Sequence, residues 1–150
     1  MKCQLLVING PNLNLLGTRE PDIYGTATLD DLNTLCHDVA SDLGVEVTCF
    51  QSNIEGDIIN RIQAAMGHAD GILINPAGYG HSSVAIRDAL AMCDCPIIEV
   101  HLSNLAQRES FRQITLTGGV VTGQVSGLGK FGYRIGMIGL VDLIDGGKQT

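Results

Sequence analysis

Tryptophan is absent and aromatic residues make up only 4% of the sequence, so each of the three tyrosines calls for its own explanation. Lysine stands only at positions 2, 130 and 148, away from the ends of the first four predicted strands, which argues against Schiff-base chemistry. No Lys/Arg cluster occurs, and the formal net charge of −7 argues against nucleic acid or an anionic membrane as the main partner. The five cysteines, at 3, 36, 49, 93 and 95, form no C-x-x-C motif. Cys93-x-Cys95 lacks a second ligand pair at zinc spacing, which speaks against a metal site. The cysteines read as small buried thiols of a protein kept in a reducing compartment. No apolar run is long enough for a signal-peptide core or a bilayer span, so a cytoplasmic location is expected.

What is present points to one compact domain over residues 1–150. Hydrophobic residues make up 45% and charged residues 17% of it. Apolar runs at 4–8, 45–50, 71–74, 96–100 and 120–125 predict strands. Between them lie helical patterns: one opened by Thr28-x-x-Asp31 and stopped by Gly44, one over 57–66, one capped by Ser82 or Ser83 and ending near Met92, and one over 104–112. A last helix is expected over 133–144. Strict β-α alternation implies an α/β fold with one five-stranded parallel sheet and helices on both faces. Five strands suit the flavodoxin-like order 2-1-3-4-5, in which ligands bind beyond the carboxyl ends of the strands.

Those ends carry the chemistry. The first strand leads into a long stretch over 9–25 with three Asn, three Gly and two Pro, together with Arg19 and Tyr24, which predicts an irregular loop. A loop this long in so short a chain is either disordered or functional. The later junctions present Gln51-Ser52-Asn53, Asn75 through His81, and Glu99-Val100-His101-Leu102-Ser103. The opposite junctions are mostly Gly and Asp, an asymmetry that favours an enzyme over an inert interaction module. Glu99 and His101, two apart on a strand, face the same side, where a carboxylate fixes an imidazole for proton transfer. His81 precedes a helix start and could equally bond backbone, while His37 and His68 read as structural or solvated.

Several chemistries fit poorly. A receiver domain wants acidic residues where this chain has Asn, a flavodoxin wants a Ser/Thr-rich first loop, and no Cys is followed by Arg at tyrosine-phosphatase spacing. Gly127-x-Gly129-x-x-Gly132 matches a dinucleotide fingerprint, but no strand tipped by an acidic residue follows, so close strand–helix packing explains it better.

Taken together, the motifs resemble those of the type II 3-dehydroquinate dehydratases. The matching blocks are N-G-P-N-L-N-L-L-G-T-R-E-P-x-I-Y-G at 9–25, Q-S-N-x-E-G at 51–56, N-P-x-x-Y-x-H-S-S at 75–83, R-D-A-L at 87–90, E-V-H-L-S-N at 99–104, R-E-x-F-R at 108–112 and G-L-G-x-x-G-Y at 127–133. Ile54 stands where His is common, Ala77-Gly78 is inverted, Gly80 and Ser82 replace Thr, Ser110 replaces Pro, and 113–126 diverges most. The resemblance implies reversible dehydration of 3-dehydroquinate to 3-dehydroshikimate, a homododecamer built as a tetramer of trimers, and no metal or organic cofactor. It implies Tyr24 as base, activated by Arg19, since holding a tyrosine ionised at neutral pH needs roughly 4 kcal/mol. It further implies Asn12 at the enolate, His101 as acid and Glu99 orienting it. On that reading residues 9–14 form a fixed wall and Gly17 to Gly25 a lid that carries the base, with about Glu20–Tyr24 poorly ordered until an anion binds. Leu102 and Ser103 would hold the substrate carboxylate, and Asn75, His81 and Arg112 its remaining groups. Asp88 would reach a neighbouring subunit's site. The alternatives are a non-catalytic flavodoxin-like protein that binds a small anionic metabolite, and a nucleotide- or flavin-binding protein.

Overall fold

The computed structural model describes residues 1–18 and 20–148, with Lys148 in its backbone alone. Five parallel strands, β1 (Gln4–Asn9), β2 (Glu46–Gln51), β3 (Gly71–Asn75), β4 (Ile97–His101) and β5 (Gly123–Ser126), lie in the order β2-β1-β3-β4-β5. This is the expected order. Helices α2 (Leu29–Leu43) and α6 (Phe131–Lys148) cover one face, and α3 (Glu55–Ala65) and α5 (Val84–Ala91) the other. Two one-turn helices, α1 (Pro21–Tyr24) and α4 (Tyr79–Ser82), sit at the carboxyl ends of β1 and β3.

The central strands are apolar along their whole length because both faces are covered. Leu5, Val7, Leu73, Ile98 and Val100 pack on Leu32, Cys36 and Val39 of α2 and on Tyr133, Met137 and Leu140 of α6. Leu6, Ile8, Ile72, Ile74 and Ile97 face Ile58 and Ile62 of α3 and Ile86 and Leu90 of α5. The edge strands β2 and β5 are only partly buried, as one-sided pairing dictates. Helix α2 opens on the predicted capping box, in which Thr28 Oγ1 accepts from the Asp31 amide and Asp31 accepts from the Thr28 amide. It closes at Gly44 with a left-handed φ of 70°.

The structure corrects the sequence reading in four places and decides between the two caps offered for α5; first, the strand expected over 120–125 covers only Gly123–Ser126. The 9–25 stretch carries a 3-10 turn (Leu13–Leu15) and α1, because Asn12 and Glu20 adopt left-handed φ values and Pro21 is preset for a first helical turn. Of the two caps offered for α5, Ser83 serves, accepting from the Ile86 amide at 2.9 Å. The helix expected over 104–112 is two 3-10 turns, Leu105–Gln107 and Ser110–Arg112. Of the five thiols only Cys36 is buried; the others are half-buried, and no disulfide joins them.

Of the glycine block only Gly132 shows the expected strand–helix packing, whereas Gly127 and Gly129 serve turns at φ values of 87° and 57°. A Cβ on Gly132 would lie 3.1 Å from Val100 Cγ2, and the Gly129 amide closes onto the Leu102 carbonyl at 3.0 Å. Among the described residues no helix is long and apolar enough to cross a membrane.

Candidate active site

In the order β2-β1-β3 the chain leaves β1 and β3 in opposite directions, and a cleft opens where they part. Asn9 and Asn75 are register partners at the rim. The Gly10 amide donates to the Asn75 carbonyl at 2.8 Å, and a Cβ there would stand 2.5 Å from the Pro76 carbonyl oxygen. Only glycine lets the two loops cross this closely. Asn12, Tyr24 and Asn75 line the cleft from this side, and His81, His101, Leu102 and Ser103 from the other.

Tyr24, at the end of α1, is half-buried and packs beneath an arginine. Arg108 Nη2 donates to the Tyr24 hydroxyl at 3.1 Å, and the guanidinium carbon lies 5.2 Å from the ring centroid. Arg108 Nη1 donates to Ser103 Oγ at 2.9 Å, so one guanidinium joins the 9–25 connection to the loop after β4. Arg108 lies within the R-E-x-F-R block, but the sequence reading gave a role to Arg112 alone. Two arginines four apart were the available signal. Arg19 lies outside the described residues.

Across the cleft, Glu99 is fully buried behind His101. His101 Nε2 lies 2.9 Å from Glu99 Oε2. An ionised carboxylate only accepts, so Nε2 carries the proton and Nδ1 is the ring's other exchangeable position. Thr115 Oγ1 donates to Glu99 Oε2 at 2.7 Å, and Thr117 Oγ1 makes a short hydrogen bond to Oε1. Burial alone would raise the Glu99 carboxyl, but hydrogen bonds from His101, Thr117 and Thr115 outweigh it and hold it below its usual range. Neither threonine was legible as a site residue. The His81 ring lies 6.2 Å from that of His101, and its Nδ1 donates to the Ile114 carbonyl at 3.0 Å, so the backbone bond anticipated for it is made while it lines the cleft.

The floor is a buried polar relay. Tyr133 donates to Asn9 Oδ1 at 2.6 Å and accepts from Asn75 Nδ2 at 2.9 Å, while Asn75 Oδ1 accepts from the Ala77 amide at 3.1 Å. Burial pushes the Tyr133 phenol well above its usual range, so it stays neutral. Asn12 is fixed through its backbone, whose amide donates to Asn53 Oδ1 at 2.8 Å. Tyr79 donates to the Asn53 carbonyl at 3.0 Å, so the three tyrosines divide between site, loop and core.

The remaining predicted residues fall in two groups. Arg112 lines the cleft and bonds Glu109 Oε2 through Nε at 2.6 Å, leaving its terminal nitrogens for a ligand. Asp88 is exposed on α5 and does not line this cleft. The structure thus brings together an arginine-held phenol, a carboxylate-backed imidazole, two further cations or donors and a set of amides. That combination suits removal of one proton and delivery of another on an anionic, hydroxylated substrate.

The comparisons with known proteins agree with this chemistry. The model of the family described as dehydroquinase class II matches residues 3–141. The chain is 53% identical to a 3-dehydroquinate dehydratase of Geotalea daltonii over 89% of this chain and 93% of that protein. The crystal structure of a type II dehydroquinase from Butyrivibrio crossotus superposes with a TM-score of 0.89 at 46% identity, covering 96% of this chain and 98% of that one. A type II dehydroquinase from Propionibacterium acnes gives the same TM-score at 42% identity, over 97% and 98%. The chain therefore belongs to the class II dehydroquinase family.

Proposed function

We propose that this protein dehydrates 3-dehydroquinate to 3-dehydroshikimate, a step of the shikimate pathway, reversibly and with anti geometry through an enolate. The observation that carries this reading is the meeting of the arginine-held Tyr24 and the Glu99-backed His101 across one cleft.

The reaction removes a proton alpha to a ketone and then expels a hydroxyl as water. Tyr24, as phenolate, takes the proton, and the electrons of that C–H bond move into the enolate. Arg108 holds the phenolate oxygen through a charge-assisted hydrogen bond, and the charge of Arg19 favours the ionised form. Asn12 steadies the enolate oxygen through a bound water. As the enolate collapses to the conjugated ketone and the C–O bond breaks, His101 in its imidazolium form delivers the Nδ1 proton to the departing hydroxyl, which leaves as water, and the ring is left neutral with its proton on Nε2. Glu99 keeps the opposite nitrogen protonated and the ring in place. The backbone amides of Leu102 and Ser103 hold the carboxylate, and Asn75, His81 and Arg112 hold the remaining oxygens. Every step is a proton transfer or an elimination that these side chains can supply without a cofactor.

Asp88 is proposed to reach the site of a neighbouring subunit, within a homododecamer made as a tetramer of trimers. Val84 on the same helix and Phe111 and Ile114 beside the cleft are exposed apolar residues consistent with burial against another copy. A cytoplasmic location fits thiols that form no disulfide. Light-scattering mass in solution tests the assembly.

Purified protein given 3-dehydroquinate should generate an ultraviolet-absorbing enone, unaffected by chelator or borohydride. Thermal stabilisation by the compound without product would instead mark a non-catalytic binder. No product at high enzyme concentration overturns the proposal.

A further inference from the structure

The segment 114–118, inside the stretch that departs most from the family pattern, is tied to everything behind the two histidines. The Ile114 carbonyl accepts from His81 Nδ1 at 3.0 Å. The Leu116 amide donates to the Gly80 carbonyl at 2.7 Å, and the Leu116 carbonyl accepts from Arg87 Nη1. Thr115 and Thr117 donate to the two oxygens of Glu99. One strap therefore touches α4, α5 and β4 together.

The proton directions follow from the partners. The Gly118 amide can only donate, and it donates to Thr115 Oγ1 at 3.0 Å. The hydroxyl proton of Thr115 is therefore turned to Glu99. Thr117 is fully buried and gives its single proton to the other carboxylate oxygen. Gly80 makes the room: a Cβ there would meet Pro76 Cγ at 2.8 Å and Thr117 Oγ1 at 3.4 Å.

We propose that Thr115 and Thr117 are positioning residues that lock both oxygens of Glu99, so that one of them always faces His101 Nε2 and Nδ1, the nitrogen that gains and then gives up the reacting proton, always faces the cleft. A carboxylate held by His101 alone can rotate about its last bond or take up a proton, and in either case the imidazole loses its fixed tautomer. Two hydroxyl donors on two different oxygens remove both freedoms. The same strap, through the Ile114 carbonyl, places the proton of neutral His81 on Nδ1 and leaves Nε2 as an acceptor. The segment thereby sets both histidines without lining the cleft at either threonine.

This proposal rests on the dehydratase reading, and its test separates the two. Thr117→Val, Thr117→Ser, Thr115→Val and Thr117→Val in a Glu99→Gln background are compared for kcat, KM and thermal midpoint. Nitrogen NMR of the His101 ring is recorded on each. Thr117→Val should lower kcat on the order of tenfold, the loss of one hydrogen bond to a charged group, with KM within about twofold of wild type. Its His101 signals should move from one tautomer towards a mixture. Thr117→Ser, which keeps the hydroxyl, should restore most of both. Thr115→Val should act in the same direction, and it carries the test at a half-exposed position if Thr117→Val fails to fold. In the Glu99→Gln background Thr117→Val should add little further loss. Folded Thr117→Val and Thr115→Val with wild-type kcat and an unchanged His101 tautomer would overturn the proposal. So would a loss in Thr117→Val of equal size with and without Glu99. The NMR result stands whether or not the wild type turns over 3-dehydroquinate.

Discussion

Arg108 donates to the hydroxyl of Tyr24 at 3.1 Å while its guanidinium lies 5.2 Å from that ring's centroid. A second bond from the same group, to Ser103 Oγ, fixes the arginine on the far wall. The proposed closing of the 9–25 connection over the cleft and the proposed activation of Tyr24 as base would therefore share one contact. Arg108→Met should lower kcat by roughly ten- to a hundredfold, the loss of a hydrogen bond to a charged group. Arg108→Lys should recover little of it, because an ammonium cannot serve both partners in a fixed fork. Steady-state kinetics beside a thermal melt, unchanged within a few degrees, checks both variants.

Alkaline stability should report on Tyr133. Its folded-state phenol lies above its ordinary value because it is buried, so above about pH 10 the unfolded chain releases a proton that the folded chain keeps. Stability is full below that point and falls as pH rises beyond it. Tyr133→Phe should flatten this decline. At neutral pH it should cost about 1–3 kcal/mol, because Asn9 Oδ1 and Asn75 Nδ2 lose their shared partner. Urea melts at pH 7 and pH 10.5 on both proteins measure the two effects.

At the acid end the sign reverses. Glu99 is held below its ordinary 4.5, so its contribution is present above that value and is lost as pH falls through the folded-state value. Glu99→Gln should weaken the acid dependence of stability below about pH 4.5. It should also lower kcat, because an amide cannot hold His101 as an anion does. Acid titration followed by circular dichroism distinguishes this from general acid unfolding, which would leave the variant's curve parallel to wild type.

Gly10→Ala should be among the most damaging single-methyl changes. Its Cβ would stand 2.5 Å from a backbone oxygen that no rotamer change can move. A cost of about 1–3 kcal/mol is expected, with loss of activity as Asn12 shifts off the wall. A crystal structure of the variant should show the loop displaced from Pro76.

Strand order, helix faces and the capping box were legible because apolar runs, helical spacing and Thr28-x-x-Asp31 are local signals. The cleft residues from Asn12 to Ser103 were legible because the topology sends every β-α junction to one rim. The short helix α1 was hidden because it hangs on left-handed φ at Glu20, a tertiary choice that propensity does not encode. The 3-10 turns over 105–112 were read as a helix because Leu, Ala and Arg favour one locally, whereas Arg108 has to turn towards Tyr24 and Ser103. Thr115 and Thr117 were invisible because their meaning is a partner 16 and 18 positions away, buried under a different strand.

The most direct measurement follows the enone formed from 3-dehydroquinate by wild type and Tyr24→Phe side by side. The wild type should turn over the compound without metal, and the variant should fall by at least about a hundredfold, with the thermal midpoint unchanged. Equal turnover by both proteins would contradict the assignment of the base, and none by either would contradict the assignment of the reaction.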